Sequence, residues 1–251
     1  MHRSERQMAI LEYLNQETTA SVAVLSQKFN VSEMTIRRDL DWLEDQGYLR
    51  RIYGGAMATD LASFALAFQA RAEQFLEEKK RIGRAVAEMI QHGESVILDA
   101  GTTVLQVAKH LRDKHITVVT NSLPVLLELS PITTIEVFMI GGVFSRSALA
   151  TVGTQVGEFL KKIWVDKLFL GVEGVDVSSG LTVPDVLEAH NKKCMIQSAN
   201  KVYVLADHSK LGRSALHSIV PLSDVDVIVT DNGASEEMVA RLKEHLGVIV
   251  V

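Results

Sequence analysis

SEMTIRRDLDWLEDQGYLRRIYGGA, residues 32–56, is the stretch that decides how the N-terminal part of the chain folds. Ser32 can cap a helix running from Glu33 to Gln46, its hydroxyl accepting from an amide one turn on. Gly47 ends that helix, since a residue free to take positive φ suits the position after the last turn. Ile36, Leu40 and Leu43 fall at i, i+4 and i+7 and must face a core. The opposite side carries Met34, Arg38 and Asp41, with Thr35 and Arg37 on its flanks. Past the glycine, Leu49, Arg51 and Tyr53 alternate with Arg50 and Ile52 until Gly54-Gly55 breaks the run. That is the pattern of a hairpin.

Upstream, Ile10, Leu11 and Leu14 give residues 4–14 a helical period. Ser21 can cap the next helix, VAVLSQKF, and Asn30-Val31 makes a tight connection to Ser32. Three short helices followed by a glycine-containing hairpin describe a winged helix-turn-helix. In such a unit the third helix sets its N-terminal residues against base edges in the major groove. Arg suits guanine there, Thr can reach a base or a phosphate, and a Met can touch the thymine methyl. Ser32, Met34, Thr35, Arg37 and Arg38 are the candidate DNA contacts on the helix. Arg50 and Arg51 on the hairpin would meet phosphate or the minor groove. The plainer alternative is a three-helix unit whose arginine pair balances Asp39 and Asp41.

Charge does not settle the choice. The chain carries a net charge of −5, and residues 1–58 hold seven Lys/Arg against eight Asp/Glu. DNA contact must therefore come from where the basic residues sit, not from a basic bulk. A weakly charged reading unit also implies at least two copies, a homodimer or homotetramer, so that repeated half-sites sum their energies. The 251 residues are 47% apolar and 23% charged, which is ordinary globular composition. No run approaches the ~18 apolar residues of a membrane span, and MHRSERQMAI has no apolar h-region. Cys194 is the only cysteine. It excludes an internal disulfide and a cysteine-based zinc site and fits a reducing, cytoplasmic setting. No metal site and no cofactor is implied.

Residues 59–80 read as a linker helix, with Leu61, Phe64 and Phe68 repeating at three and four and a charge run, EEKKR, at the end. From 81 to 251, apolar strand runs such as SVILDA, ITVVTN, DKLFLG and KVYVLAD alternate with amphipathic helices. This predicts an α/β domain with a parallel, helix-covered sheet. Polar and glycine residues sit just after the strands, at 99–103, 120–122, 141–142, 173–174 and 207–210. In open α/β sheets the ligand lies at the carboxyl ends of the strands, so these turns point to one site. Asp99-Ala100-Gly101-Thr102-Thr103 has the chemistry of an anion cradle, with hydroxyls and amides opening a helix. Lys210 could bring an ammonium to the same anion. Asp99, Asn121, Ser122, Glu173 and Asp207 would meet a sugar's hydroxyls. Thr and Gly also cap helices without any ligand, and Lys210 has a plainer reading as a solvated turn lysine.

The stretch 32–56 resembles the signature of DeoR-type regulators, with Ser32, Thr35, Ile36, Arg37, Arg38, Asp39 and Leu40 at its centre and Arg6 upstream at the matching spacing. EEKKRIGRAVAEMI, ILDAGTT, VVTNS, MIGG, DKLFLGVEGVD, SGLT and LADHSKLGR resemble the sensor domain that follows it in that family. The resemblance spans nearly the whole chain. It implies a repressor of a sugar catabolic operon, with operator DNA and a phosphorylated sugar as partners. It implies a sensor fold related to ribose-5-phosphate isomerase and glucosamine-6-phosphate deaminase. It carries Gly101, Thr102, Thr103 and Lys210 over as phosphate contacts, with Asn121 and Ser122 beside them. It makes Asp39 a structural residue, holding Arg37 or a backbone amide.

The competing reading is an isomerase or deaminase with a helical appendage. It needs a group that titrates near neutral pH within reach of the substrate. The turn where the deaminases keep a base reads Thr120-Asn121-Ser122-Leu123, and their His is replaced within Glu173-Gly174-Val175. His190 and His208 are left as structural or sugar-binding residues, and no catalytic residue is assigned. A nucleotide-binding Rossmann reading lacks its G-x-G-x-x-G.

Overall fold

A computed structural model describes residues 3–45, 48–59 and 68–251. Gln46, the Gly47 cap, and Leu61 and Phe64 of the expected linker helix lie outside the described residues. The chain forms two compact units, Met1–Arg71 and Ala72–Val251.

In the first unit, helices Arg3–Glu17, Val22–Phe29 and Glu33–Asp45 enclose Ile10, Leu14, Leu25, Ile36, Leu40 and Leu43. The caps act as their residue types require. Ser21 Oγ accepts from the Val24 amide at 3.2 Å, and Ser32 Oγ accepts from the Thr35 amide at 3.2 Å. Asn30 turns the chain between helices in the left-handed region, at φ 51°. Strands β2 (Leu49–Ile52) and β3 (Gly55–Ala58) form the expected hairpin. A third strand, β1 (Thr19–Ser21), pairs antiparallel with β3 and was not legible, being three residues long. Its pairing explains the glycine doublet. Gly54 takes φ 74° in the turn, while a Cβ on Gly55 would sit 2.1 Å from the Ala20 carbonyl oxygen.

The second unit is built on seven parallel strands in the order β15-β14-β12-β9-β4-β5-β6. Their ranges are β4 Ser95–Leu98, β5 Ile116–Thr120, β6 Ile135–Met139, β9 Val165–Gly171, β12 Ala199–Leu205, β14 Val227–Thr230 and β15 Gly247–Val250. Successive side chains enter opposite cores. Val96, Leu98, Phe169, Tyr203 and Leu205 meet one set of helices, while Ile97, Leu168, Leu170, Val202 and Val204 meet the other layer. Burial on both faces is why these strands read as continuous apolar runs. The chain lays β4, β5 and β6 outward in one direction and then returns to place β9 on the other side of β4. The strand order therefore reverses between β4 and β9, the point where α/β sheets open a crevice. Two small antiparallel sheets, β7 (Val143–Ser145) with β8 (Ala150–Val152), and β10 (Gly174–Asp176), β11 (Gly180–Val183) and β13 (His217–Val220), were not expected.

Within the expected linker helix, residues 68–73 are helical, but the helix does not run on unbroken. Phe75 takes a left-handed φ of 54°, and a new helix, Leu76–Glu88, starts after it. That helix buries Ile82, Gly83, Val86 and Ala87. It packs inside the second unit, and the break in the expected linker helix falls on Phe75. A non-glycine residue held there costs about 1–3 kcal/mol.

Candidate functional site

The helix Glu33–Asp45 turns one side to the core and the other to solvent. Met34 is 55% exposed, and Ser32, Arg37 and Arg38 are exposed beside it, with Thr35 half-buried. The cap pairs Ser32 Oγ with Thr35 Oγ1 at 2.9 Å, and Arg37 reaches back to Glu33 at 2.9 Å. Arg38 has no partner among the described residues, so its guanidinium is available. On the hairpin, the exposed Arg50 side chain is likewise uncommitted among the described residues. Arg51 differs: its guanidinium is committed to Asp41 and to the Gly55 carbonyl, the latter at 3.2 Å. It braces the hairpin against the helix. Tyr53, fully exposed at the tip, was not singled out from the sequence.

Asp39 corrects one expectation. Among the described residues it holds neither Arg37 nor a backbone amide. Its buried carboxylate accepts from Arg6 Nε at 2.6 Å and from Gln7 Nε2 at 3.3 Å. Arg3 Nε stands 3.5 Å away. The signature's Asp39 and the upstream Arg6 are thus two ends of one buried ion pair between the first and third helices.

In the second unit the polar turns all follow carboxyl ends of parallel strands. Asp99 follows β4, with Gly101 at φ 153° opening the helix Thr102–Ala108, in which Thr102 is half-buried and Thr103 buried. Asn121 and Ser122 follow β5 and are buried. Ser122 caps the helix Leu123–Leu129. Glu173 follows β9 and Asp207 follows β12. Asp207 Oδ1 accepts from the Ser209 amide at 3.1 Å and its hydroxyl at 2.5 Å, which shapes the turn His208–Lys210. That turn sets Lys210 Nζ 2.6 Å from Glu173 Oε1. The proposed anion-binding ammonium and a proposed sugar-binding carboxylate are therefore partners, and an anion at Lys210 must compete with Glu173.

The helix Val186–Ile196, one of the expected amphipathic helices, closes this edge, but the sequence reading singled out neither Asn191 nor Lys192 on it. Lys192, 4% exposed, reaches Asp99 Oδ2 at 2.5 Å. The Gly171 amide donates to the same oxygen at 3.0 Å. Asn121 and Asn191 both donate through Nδ2 to the Thr151 carbonyl, at 3.0 and 3.4 Å. Both amide oxygens are buried without a partner among the described residues. An unpaired buried acceptor costs about 1–3 kcal/mol, so this is not where a fold alone would put two asparagines. Lys192 escaped notice because a lysine next to another lysine on an amphipathic helix reads as a solvated face.

One further turn joins the group. Asp231, after β14, accepts from the His208 amide at 2.7 Å, from His208 Nδ1 at 2.8 Å and from the Gly233 amide at 2.8 Å. Burial pushes its carboxyl up, but these hydrogen bonds outweigh it and hold the pKa below the usual range. The His208 ring then meets Phe75 edge-on, with centroids 4.6 Å apart. Elsewhere, a cavity of about 230 Å³ lined by Trp164, Cys194 and Ser198 lies at the opposite, amino edge of the strands. Burial raises the Cys194 thiol there, which makes it a poor nucleophile.

Comparison with known proteins accounts for both units. Residues 6–61 match the DeoR-like helix-turn-helix domain and residues 74–232 the DeoR C terminal sensor domain. The HTH-type transcriptional repressor GlcR of Bacillus subtilis is 37% identical over 231 residues, 92% of this chain and 89% of that one. The HTH-type transcriptional regulator GlpR of Haloferax volcanii is 36% identical over 249 residues, 99% of this chain and 97% of that one. Among solved structures, a ribose 5-phosphate isomerase A from Methanocaldococcus jannaschii is similar at 17% identity over 55% of each chain, with a TM-score of 0.41. A DNA-binding helix-turn-helix unit and a sensor unit, matched over most of their length, place this chain in the DeoR family of transcriptional regulators.

Proposed function

We propose that this regulator is a repressor that reads operator DNA with Ser32, Met34, Thr35, Arg37 and Arg38, and whose DNA affinity changes when a phosphorylated sugar binds at the carboxyl edge of its parallel sheet. The observation that carries the reading is the gathering of Asp99, Asn121, Glu173 and Lys210 at the switch point of a sheet with no such need in its core. The phosphate would lie on the Gly101-Thr102-Thr103 turn with Lys210 closing over it. Arg50 would meet the DNA backbone, and Arg51 would brace the hairpin. The working form is a homodimer or homotetramer on repeated half-sites. The direct test is the affinity of the full chain for duplex DNA selected by it from a random library, with and without sugar phosphates. A ligand-dependent change of about 5- to 150-fold is expected, which is the usual size of such coupling. Sugar phosphates that bind without moving DNA affinity would defeat the sensor reading.

Two expectations follow for particular residues. Arg38→Ala should lose about 1–3 kcal/mol of discrimination between the selected sequence and one altered at the contacted base. Arg50→Ala should instead weaken all sequences alike and reduce the salt slope by about one. Equal discrimination by the Arg38 variant and the unaltered chain in a titration would show that the helix is misplaced. The second concerns coupling. The turn that carries Lys210 also carries His208, whose ring rests on Phe75, four residues into the sensor unit and held in a strained backbone region. A shift of this turn on binding would be felt first at Phe75. His208→Ala is expected to keep sugar-phosphate affinity within about threefold while removing the response of DNA affinity, a coupling of about 1–3 kcal/mol. An intact response in that variant would exclude this route.

A further inference from the structure

We infer that Lys192, with Asn121 and Asn191, forms a polar floor that reads the sugar part of the ligand, and that Asp99 is a positioning residue which holds Lys192 for that purpose. The inference rests on the sugar-phosphate reading above and adds residues to it. Three observations carry it. The first is register. Leu98 pairs with Thr120 on one side and with Phe169 on the other. Asn121 and Asp99, the residues that follow, therefore stand side by side at the switch point, and Gly171 at the end of β9 joins them through its amide, which donates to Asp99 Oδ2. The helix Val186–Ile196 lowers Asn191 and Lys192 onto this group.

The second is a hydrogen-bond shortfall on both sides. The Lys192 ammonium has three protons, and Asp99 is its partner among the described residues. Asn121 and Asn191 each leave an amide oxygen without a partner among those residues. A fold that needed only stability would fill such positions with apolar side chains. A molecule bearing hydroxyls supplies what is absent, since each hydroxyl both donates and accepts.

The third is charge. Lys192 is neutralised by Asp99 within the site, and both are buried. A floor with no net charge suits hydroxyl, ring or carbonyl oxygens and gives little to a phosphate dianion. Lys210 has a different partner, the exposed Glu173. The two lysines thus divide the ligand, Lys210 taking the phosphate and Lys192 the sugar oxygens. At Gly101 a Cβ would come no nearer than 3.8 Å to a neighbouring atom, the Gly171 Cα, so the described residues do not crowd that side of the turn.

The test uses the full chain and calorimetry with a panel of aldose and ketose pentose and hexose phosphates, followed by inorganic phosphate as competitor. Lys192→Met should weaken the best-bound sugar phosphate by about 10- to 100-fold, the worth of a hydrogen bond to a charged group. Its competition constant for inorganic phosphate should stay within about threefold of the unaltered chain. Asn191→Leu should also weaken the sugar phosphate, yet raise the melting temperature by removing an unpaired acceptor. That variant decides the matter if Lys192→Met does not fold. Unchanged sugar-phosphate affinity in the variants overturns the inference, and so does a parallel loss for inorganic phosphate. A lower melting temperature for Asn191→Leu with binding intact shows a structural floor and also overturns it. If the unaltered chain binds no member of the panel, the sugar-phosphate reading itself has failed and this inference falls with it.

Discussion

Asp39→Ala is expected to remove about 3–5 kcal/mol from the stability of the DNA-reading unit, because it strands the buried Arg6 guanidinium. The pair is closed at 2.6 Å, with side-chain exposures of 10% for Arg6 and 2% for Asp39. A unit of some seventy residues has roughly 4–10 kcal/mol in all. The loss would leave a large fraction of the reading unit unfolded and abolish DNA binding without touching a single DNA contact. The two tryptophans make the effect separable, since Trp42 lies in the first unit and Trp164 in the second. In a Trp164→Phe background, urea unfolding followed by Trp42 fluorescence reports the reading unit, and its midpoint should fall sharply. Arg6→Met with Asp39→Leu should cost much less than Asp39→Ala, because neither charge is then left alone. A loss under about 1 kcal/mol for Asp39→Ala would mean that water reaches Arg6 and that the pair is ordinary surface chemistry.

The neutral parent of the effector sugar should bind roughly 10²- to 10⁴-fold more weakly than its phosphate. A phosphate held by Lys210 and by the Thr102 and Thr103 groups, as proposed, would make charge-assisted hydrogen bonds of about 1.5–3 kcal/mol each. Two of them account for that range. The net gain lies toward the lower end if Lys210 must give up Glu173, which it holds at 2.6 Å. Lys210→Ala should bring the phosphate close to the neutral sugar in affinity. Calorimetry on the two ligands with both proteins measures all four values. Neutral and phosphorylated sugars binding alike to the unaltered chain would remove the phosphate from this turn.

Most of the fold was legible because the residues that form it act through short-range rules. Ser21 and Ser32 cap the helices they precede, and Ile36, Leu40 and Leu43 bury one face at helical spacing. Gly54 and Gly55 break the hairpin where they should, although the need for Gly55 comes from β1. That strand was hidden in three residues with no alternation to detect. The edge strand β15 and the small antiparallel sheets escaped for the same reason. Phe75 interrupts the expected linker helix because Ile82 and Val86 must reach the sheet, a demand that the local period does not express.

By itself the sequence determined the two-unit plan, the solvent face of the reading helix, the parallel sheet and the five polar turns at one edge. Each depends on neighbours within about four residues or on apolar runs bounded by polar turns, which are properties of the chain in one dimension. Only the tertiary structure decided which of those polar groups meet. It joined Asp39 to Arg6 across 33 residues and Lys192 to Asp99 across 93. It also committed Arg51 to Asp41, leaving Arg38 and Arg50 as the uncommitted guanidiniums on the reading surface among the described residues. Burial makes such pairings obligatory, since a charge leaving water must find its partner inside the protein. Which partner it finds is set by the packing of helices on strands far apart in the chain, and no local pattern records it.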